Sequence, residues 1–250
     1  MLRAVRFAAK LGFAIDPAAE EAIRKDLPLL ANVPPARLFD EFLKLFETGH
    51  GSRAFELLRK HALFGQLFPA TEQEIVADES LLDFLRAALR NTDARVKSGQ
   101  SVTPMFLLGV FLWAPARRLA DRRRSEEKMS ESQSLSLASY ELAAQQQRRI
   151  SIPRRFTVPM REMLALQPRF SHTRGKRAMK LLDHRRFRAA YDFMLLRAEV
   201  GQFDSDIAEF WTRVQKESAE QRATSFDVSG RPKGKRGRRR RRRSRAPKPS

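Results

Sequence analysis

Apolar positions recur at three- and four-residue intervals along most of the chain, and nowhere do they alternate in the two-residue rhythm of a half-buried strand. Leu38, Phe39, Phe42, Leu43 and Phe46 form one such stripe, opened by Pro34-Pro35. Asp16 before Pro17 reads as a helix N-cap followed by a proline at the first helical position. Gly49-His50-Gly51-Ser52 then breaks the chain and caps the next helix, which carries Phe55 and Leu58 and ends near His61. Leu63, Phe64, Leu67 and Phe68 gather before Pro69. Later spacing predicts helices over Leu81 to Val96, Pro104 to Arg118, Arg123 to Arg149, Arg155 to Leu166, Thr173 to Asp183, Phe187 to Val200 and Ser205 to Arg222. Phe7, Leu11 and Phe13, also at helical spacing, read as core. The expected fold class is all-α, with helical hairpins packed in series and no fixed repeat period.

From about Thr224 the apolar residues give out, and Gly230 to Ser250 is a Gly/Pro/Arg segment predicted to be disordered alone. The 250 residues carry 49 Lys and Arg against 29 Asp and Glu, a net charge of +20. Twelve of those charges lie in residues 229–250, which leaves +8 for residues 1–228, so both parts are basic and a polyanion is the expected partner. The absence of cysteine excludes disulfides, thiolate zinc sites and cysteine nucleophiles. His50, His61, His172 and His184 are too far apart for a common helical metal pair. The longest apolar run, Met105 to Ala116, is too short to span a bilayer, and the N-terminus carries charges where a signal sequence needs an apolar stretch. No membrane partner and a cytoplasmic location are expected.

Between Arg148 and Arg188, thirteen Lys and Arg face only Glu162 and Asp183, with Phe156, Phe170 and Phe187 interleaved. Cations that track a phosphate backbone beside aromatic faces suit single-stranded RNA. Helical spacing buries Phe156, Met160, Met163 and Leu164. It leaves Arg154, Arg155, Arg161, Arg174, Lys176, Arg177, Lys180, Arg185, Arg186 and Arg188 as the RNA-facing set, with the three Phe expected in the core. Arg238, Arg239, Arg240, Arg241, Arg242 and Arg243 form an uninterrupted run that repels itself and would tether RNA without sequence preference.

No residue is assigned to catalysis or to a metal. Asp204-Ser205-Asp206 precedes the amphipathic run Ile207, Phe210, Trp211, Val214 and reads as a helix cap with a first-turn acid. Gly49-x-Gly51 lacks the strand, lysine and third glycine of a phosphate loop. No motif places a histidine to activate a serine or threonine.

Met1-Leu2-Arg3-Ala4-Val5-Arg6-Phe7-Ala8-Ala9-Lys10-Leu11-Gly12-Phe13 resembles the neck helix of class II nucleotidyltransferases, the family of bacterial poly(A) polymerases and CCA-adding enzymes. The run Pro34 to Leu45 is similar to the second neck helix, and Asn91-Thr92-Asp93-Ala94-Arg95 sits where the body has a similar stretch. Gly175-Lys176-Arg177-Ala178 and Phe187-Arg188-Ala189-Ala190-Tyr191-Asp192 resemble the poly(A) branch. The resemblance implies neck helices over residues 1–70, an RNA-binding body over 71–223 and a basic tail over 224–250. It implies that Arg3 and Arg6 lie beside the nucleotide or primer end, although Asp40, Glu41 or a carboxylate of the absent head could equally pair with them. It also implies that the metal-binding carboxylates belong to a catalytic head upstream of Met1. The chain alone would then bind no cofactor and be inactive, while the complete enzyme would use ATP and Mg²⁺ to extend single-stranded RNA 3′ ends. A fragment of a CCA-adding tRNA nucleotidyltransferase and a stand-alone helical RNA-binding protein are the alternatives.

Overall fold

The computed structural model describes residues 1–228, and all regular structure among them is helical. The first six helices are α1 (Leu2–Leu11), α2 (Pro17–Asp26), α3 (Pro35–Phe46), α4 (Gly51–Lys60), α5 (Leu63–Leu67) and α6 (Pro69–Ala77). They are followed by α7 (Leu81–Lys97), α8 (Pro104–Glu127), α9 (Glu131–Gln147) and α10 (Arg154–Ala165). The series closes with α11 (Gly175–Met179), α12 (Phe187–Glu199), α13 (Ser205–Val214) and α14 (Ala219–Ser225). Asp16 caps α2 as its sequence predicts, accepting from the Ala18 N–H at 2.9 Å ahead of Pro17.

Phenylalanine organises the first half. Phe111 on α8 lies within 6.3 Å, ring centre to ring centre, of Phe42, Phe46, Phe55, Phe64 and Phe68, so α3, α4 and α5 converge on one buried residue. In the second half, Trp211 packs on Phe170 and Phe226, and its indole N–H donates to the Phe170 carbonyl at 2.8 Å. Polar ties cross residue 70 without interruption. Gln146 donates to the Leu67 carbonyl at 2.7 Å, and the Ser151 N–H to that of Pro35 at 3.0 Å. One continuous core results.

Several expectations are corrected. Phe7, Leu11 and Phe13 are not core; they are 52, 52 and 64% exposed. The buried stripe of α1 is Leu2, Val5, Ala8 and Ala9, and a helix packed on one side can cover only one such stripe. Ordered structure also runs past 224, because α14 continues to Ser225 and Phe226 is fully buried, its carbonyl accepting from Gly175 at 2.6 Å. The helix expected from Arg123 to Arg149 is divided. α8 runs on to Glu127, Lys128 takes a left-handed conformation, and a capping box of Ser130 and Gln133 starts α9. The Ser205 to Arg222 helix divides in the same way at the capping box of Ser218 and Gln221. Of Thr173 to Asp183 only Gly175–Met179 is α-helical, a segment whose first turn has no acid to offset its crowded cations.

Candidate nucleic-acid interface

Because α1 buries its small and aliphatic face, it turns Arg3, Phe7 and Lys10 outward. Arg6 is half-withdrawn. Its guanidinium lies 5.1 Å from the Phe7 ring centre and 3.9 Å from Glu41, a buried acid that Lys44 also holds at 3.1 Å. Arg6 thus makes an ion pair with Glu41, while Arg3 has no ion-pair partner among the described residues. Arg6, Phe7, Lys10, Lys44 and Thr48 line a shallow basic depression.

Lys10 also borders a larger cleft of about 620 Å³ between α1, α4 and the end of α7, which Arg53, Arg90 and Lys97 line from the other sides. Two glycines shape its walls. Gly12 ends α1 at φ 80°, and a β-carbon there would sit 3.4 Å from the Arg53 guanidinium; Gly49 has φ 79° against the Lys97 stem. The acid in this cleft, Asp93, is buried and spent, since both its oxygens accept backbone N–H groups of α4, from Gly51 at 2.7 Å and Ser52 at 2.9 Å. The four cations have no carboxylate partner among the described residues.

On the other side of α7 lies a third cleft of about 300 Å³, lined by Arg95, Arg185, Arg186 and Arg188, with Met105, Phe106 and Val102 as its apolar part. Here the cations are partly balanced. Arg185 and Arg186 both hold Glu162, the latter at 2.9 Å, and Arg188 holds Asp192 at 3.0 Å. Burial pushes Glu162 up, but the two arginine hydrogen bonds outweigh it and leave the carboxyl below its ordinary value. For Asp192 burial wins over Arg188 and Arg95, and its carboxyl is raised. Arg95 alone of the four has no ion pair among the described residues.

The remaining RNA-facing candidates lie outside these clefts. Arg154 and Arg155 stand exposed in the first turn of α10, with Arg155 4.9 Å from the Phe156 ring centre. Arg161 lies 4.4 Å from the centre of the exposed Tyr140 ring. Arg174, Lys176, Arg177 and Lys180 are exposed in and around α11. Phe170 and Phe187 are buried as expected, and Phe156 is partly buried against Phe39. Arg238 to Arg243 fall outside the described residues. Lys10, Lys44, Arg53, Arg90, Arg95 and Lys97 were not singled out by sequence. Arg90, Ala94 and Lys97 did share one helical face, a spacing from which part of the cleft could have been read.

Asp204 accepts from the Ile207 N–H at 3.0 Å and so caps α13. Its Oδ1 is committed to the backbone, and Asp206 is the acid in the first turn of that helix. Among the described residues no group of three or more His, Asp or Glu is placed to hold a metal.

Two family models match the chain. Residues 12–75 match the one described as "Probable RNA and SrmB-binding site of polymerase A", and residues 127–246 match "Polymerase A arginine-rich C-terminus". The chain is 41% identical over 202 residues to the poly(A) polymerase I of Escherichia coli O6:H1 (strain CFT073), covering 80% of this chain and 43% of that protein. It is 36% identical over 253 residues to the poly(A) polymerase I of Salmonella typhi, covering 99% and 54%. Similarity to the CCA-adding enzyme of Bacillus subtilis, 42% over 67 residues, extends over 27% of this chain and 17% of the enzyme. The chain spans about half the length of the poly(A) polymerases it matches.

Proposed function

Because the chain belongs to the bacterial poly(A) polymerase family, we propose that it forms the RNA-holding part of a polymerase that extends RNA 3′ ends with AMP from ATP. The observation that carries this reading is the set of basic clefts around α1 and α7. The α1 depression shares Lys10 with the α1/α4/α7 cleft, and the Arg95 cleft lies on the other side of α7. A single strand entering beside Arg3 and Arg6 could follow Lys10, Arg53, Arg90 and Lys97 and continue to Arg95 and Arg188. Most of these cations keep their full charge for phosphate, because no carboxylate competes for them.

In this reading residues 1–70 border the nucleotide and primer end, the body from 71 to 228 grips the strand, and the basic residues from 229 on add affinity without selectivity. Nucleotidyl transfer itself, with its ATP and Mg²⁺, is assigned to a segment outside this sequence. The exposed Phe7, Leu11 and Phe13 offer that segment an apolar surface beside the depression. The setting is RNA polyadenylation in the cytoplasm.

The test is fluorescence anisotropy of a labelled oligoadenylate, with Arg53→Glu/Arg90→Glu as the variant. The reading requires that the double variant weaken binding at least about tenfold at low salt while its melting temperature stays near that of the wild type. Unchanged affinity in a folded variant would remove the clefts from the RNA path.

A further inference from the structure

Away from the basic clefts, at the other end of α12, Arg197 is only 7% exposed yet has no carboxylate within ion-pair distance among the described residues. Its Nη1 donates to the Gln167 side-chain oxygen at 3.2 Å and its Nη2 to the Gln202 carbonyl at 3.1 Å. Its Nε is shielded from solvent and has no acceptor. The guanidinium lies 4.7 Å from the ring centre of Trp113 and 5.1 Å from that of Phe203. A second guanidinium, that of the exposed Arg117, lies 5.8 Å from the same Trp113 ring. Together with Gln167, Pro168 and Ser171 these residues surround a cavity of about 220 Å³.

Burying a charge is unfavourable unless it is paired, and an unsatisfied N–H makes it more so. Other side chains also keep a shielded polar atom without a partner, among them Arg59, Arg123 and Arg161. Each of these three has a carboxylate or an aromatic ring beside it at the surface, whereas Arg197 is 7% exposed. Buried Asp93 has two donors, and buried Gln146 reaches a carbonyl. Arg197 instead lines a cavity that Arg117 shares. Burial, reinforced by Arg117 and opposed by Glu131, lowers Arg197 to about 10, so it is still a cation at neutral pH.

We propose that this cavity is a phosphate-binding site, in which the Arg197 guanidinium donates to a phosphate oxygen and Arg117 supplies the second positive charge. Planar guanidinium edges match phosphate oxygens well, and the hydrogen bond is charge-assisted. Asp121 and Glu131 stand on the lining as well. Glu131 is drawn toward Arg124 at 3.9 Å, and Asp121 has no ion pair among the described residues, so these acids reduce affinity without neutralising Arg197. The phosphate could belong to an RNA strand or to a small molecule. Either source lies beyond the clefts assigned to RNA above, and the site does not depend on that assignment.

The test uses the full chain, titrated at constant ionic strength with inorganic phosphate, with AMP and with an oligoadenylate, and followed by tryptophan fluorescence because Trp113 underlies both arginines. Saturable changes with phosphate or AMP are expected, weakened about tenfold by Arg117→Gln and tightened by Asp121→Asn. Arg197→Gln should abolish them, but that side chain also bridges Gln167 and Gln202, so the two surface variants carry the test if it fails to fold. A response confined to the oligoadenylate and altered by both surface variants would identify a strand phosphate. If all three titrations are the same for the wild type, Arg117→Gln and Asp121→Asn, the proposal is wrong.

Discussion

Asp93 on α7 caps α4 from 42 residues away, its two carboxylate oxygens accepting the N–H groups of Gly51 at 2.7 Å and Ser52 at 2.9 Å. The short side chain of Ser52, which sequence nominates for that task, leaves its hydroxyl without a partner. The same contact fixes two walls of the large basic cleft, because it joins the start of α4, with Arg53, to the end of α7, with Arg90 and Lys97. Removing the carboxylate should strand two backbone donors at a buried position. Asp93→Ala is expected to destabilise the fold by about 2–3 kcal/mol, more than an ordinary exposed cap, with Asp93→Asn intermediate. Urea midpoints measured at constant slope would check this, and a loss below about 0.5 kcal/mol would show that the cap is replaceable.

Glu47, at the end of α3, is partly buried and has one side-chain oxygen fully shielded without a donor. Burial raises its carboxyl to about 7, so between the ordinary value of 4.5 and about 7 the folded chain holds a proton that the unfolded chain has released. The unfolded state then binds fewer protons, and stability falls as pH rises across that window. The favourable contribution is complete below 4.5 and gone above about 7. Glu47→Gln should flatten this slope and leave the variant more stable at pH 8, by on the order of 1–2 kcal/mol once part-exposure is allowed for. Thermal melts at pH 5 and pH 8 on both proteins give the comparison, and parallel pH profiles would contradict it.

Arginines in the clefts should differ according to whether an acid already holds them. Arg90 has no ion pair among the described residues, whereas Arg185 is tied to Glu162 with Arg186. If the strand follows the clefts, Arg90→Gln should lower the slope of log affinity against log salt by about 0.7 for a single strand, and Arg185→Gln by clearly less. Equal slopes for the two variants would mean that pairing in the free protein does not decide which cation meets phosphate.

Much of this architecture is written in residue order. Asp16 before Pro17, the Phe39, Phe42 and Phe46 stripe and the Asp204 cap all act where their spacing puts them. Two misplaced boundaries were also legible. Ser130 with Gln133 and Ser218 with Gln221 have the spacing of a capping box, and both restart a helix that apolar periodicity carries through. What periodicity could not supply is which of two apolar faces is covered. On α1 the alternatives were Leu2, Val5 and Ala9 or Phe7 and Leu11, and the choice depends on the helices packed against it. The clefts were hidden for a related reason. Lys10, Arg53 and Arg90 are separated by about forty residues each, and no local signal joins them until α1, α4 and α7 meet. The local density of charge from Arg148 to Arg188 pointed instead to residues that the fold distributes over α10, α11 and the start of α12.

The outward face of α1 yields the last prediction. Phe7, Leu11 and Phe13 are each more than half exposed, so they add little to the stability of this chain, and their apolar area is left in contact with water. Phe7→Ser and Leu11→Ser should each change stability by less than about 0.5 kcal/mol. Phe111→Ala, which removes the ring at the centre of five others, should cost about 3–5 kcal/mol. If a nucleotidyltransferase segment packs on that face, the serine variants should lose AMP incorporation when the chain is joined to the remaining half of a relative, while oligoadenylate binding by the chain alone is preserved. Activity equal to that of the unsubstituted fusion would place the packing surface elsewhere. A large loss of stability from Phe7→Ser alone would instead mean that the ring is covered in solution, as apolar spacing along α1 first suggested.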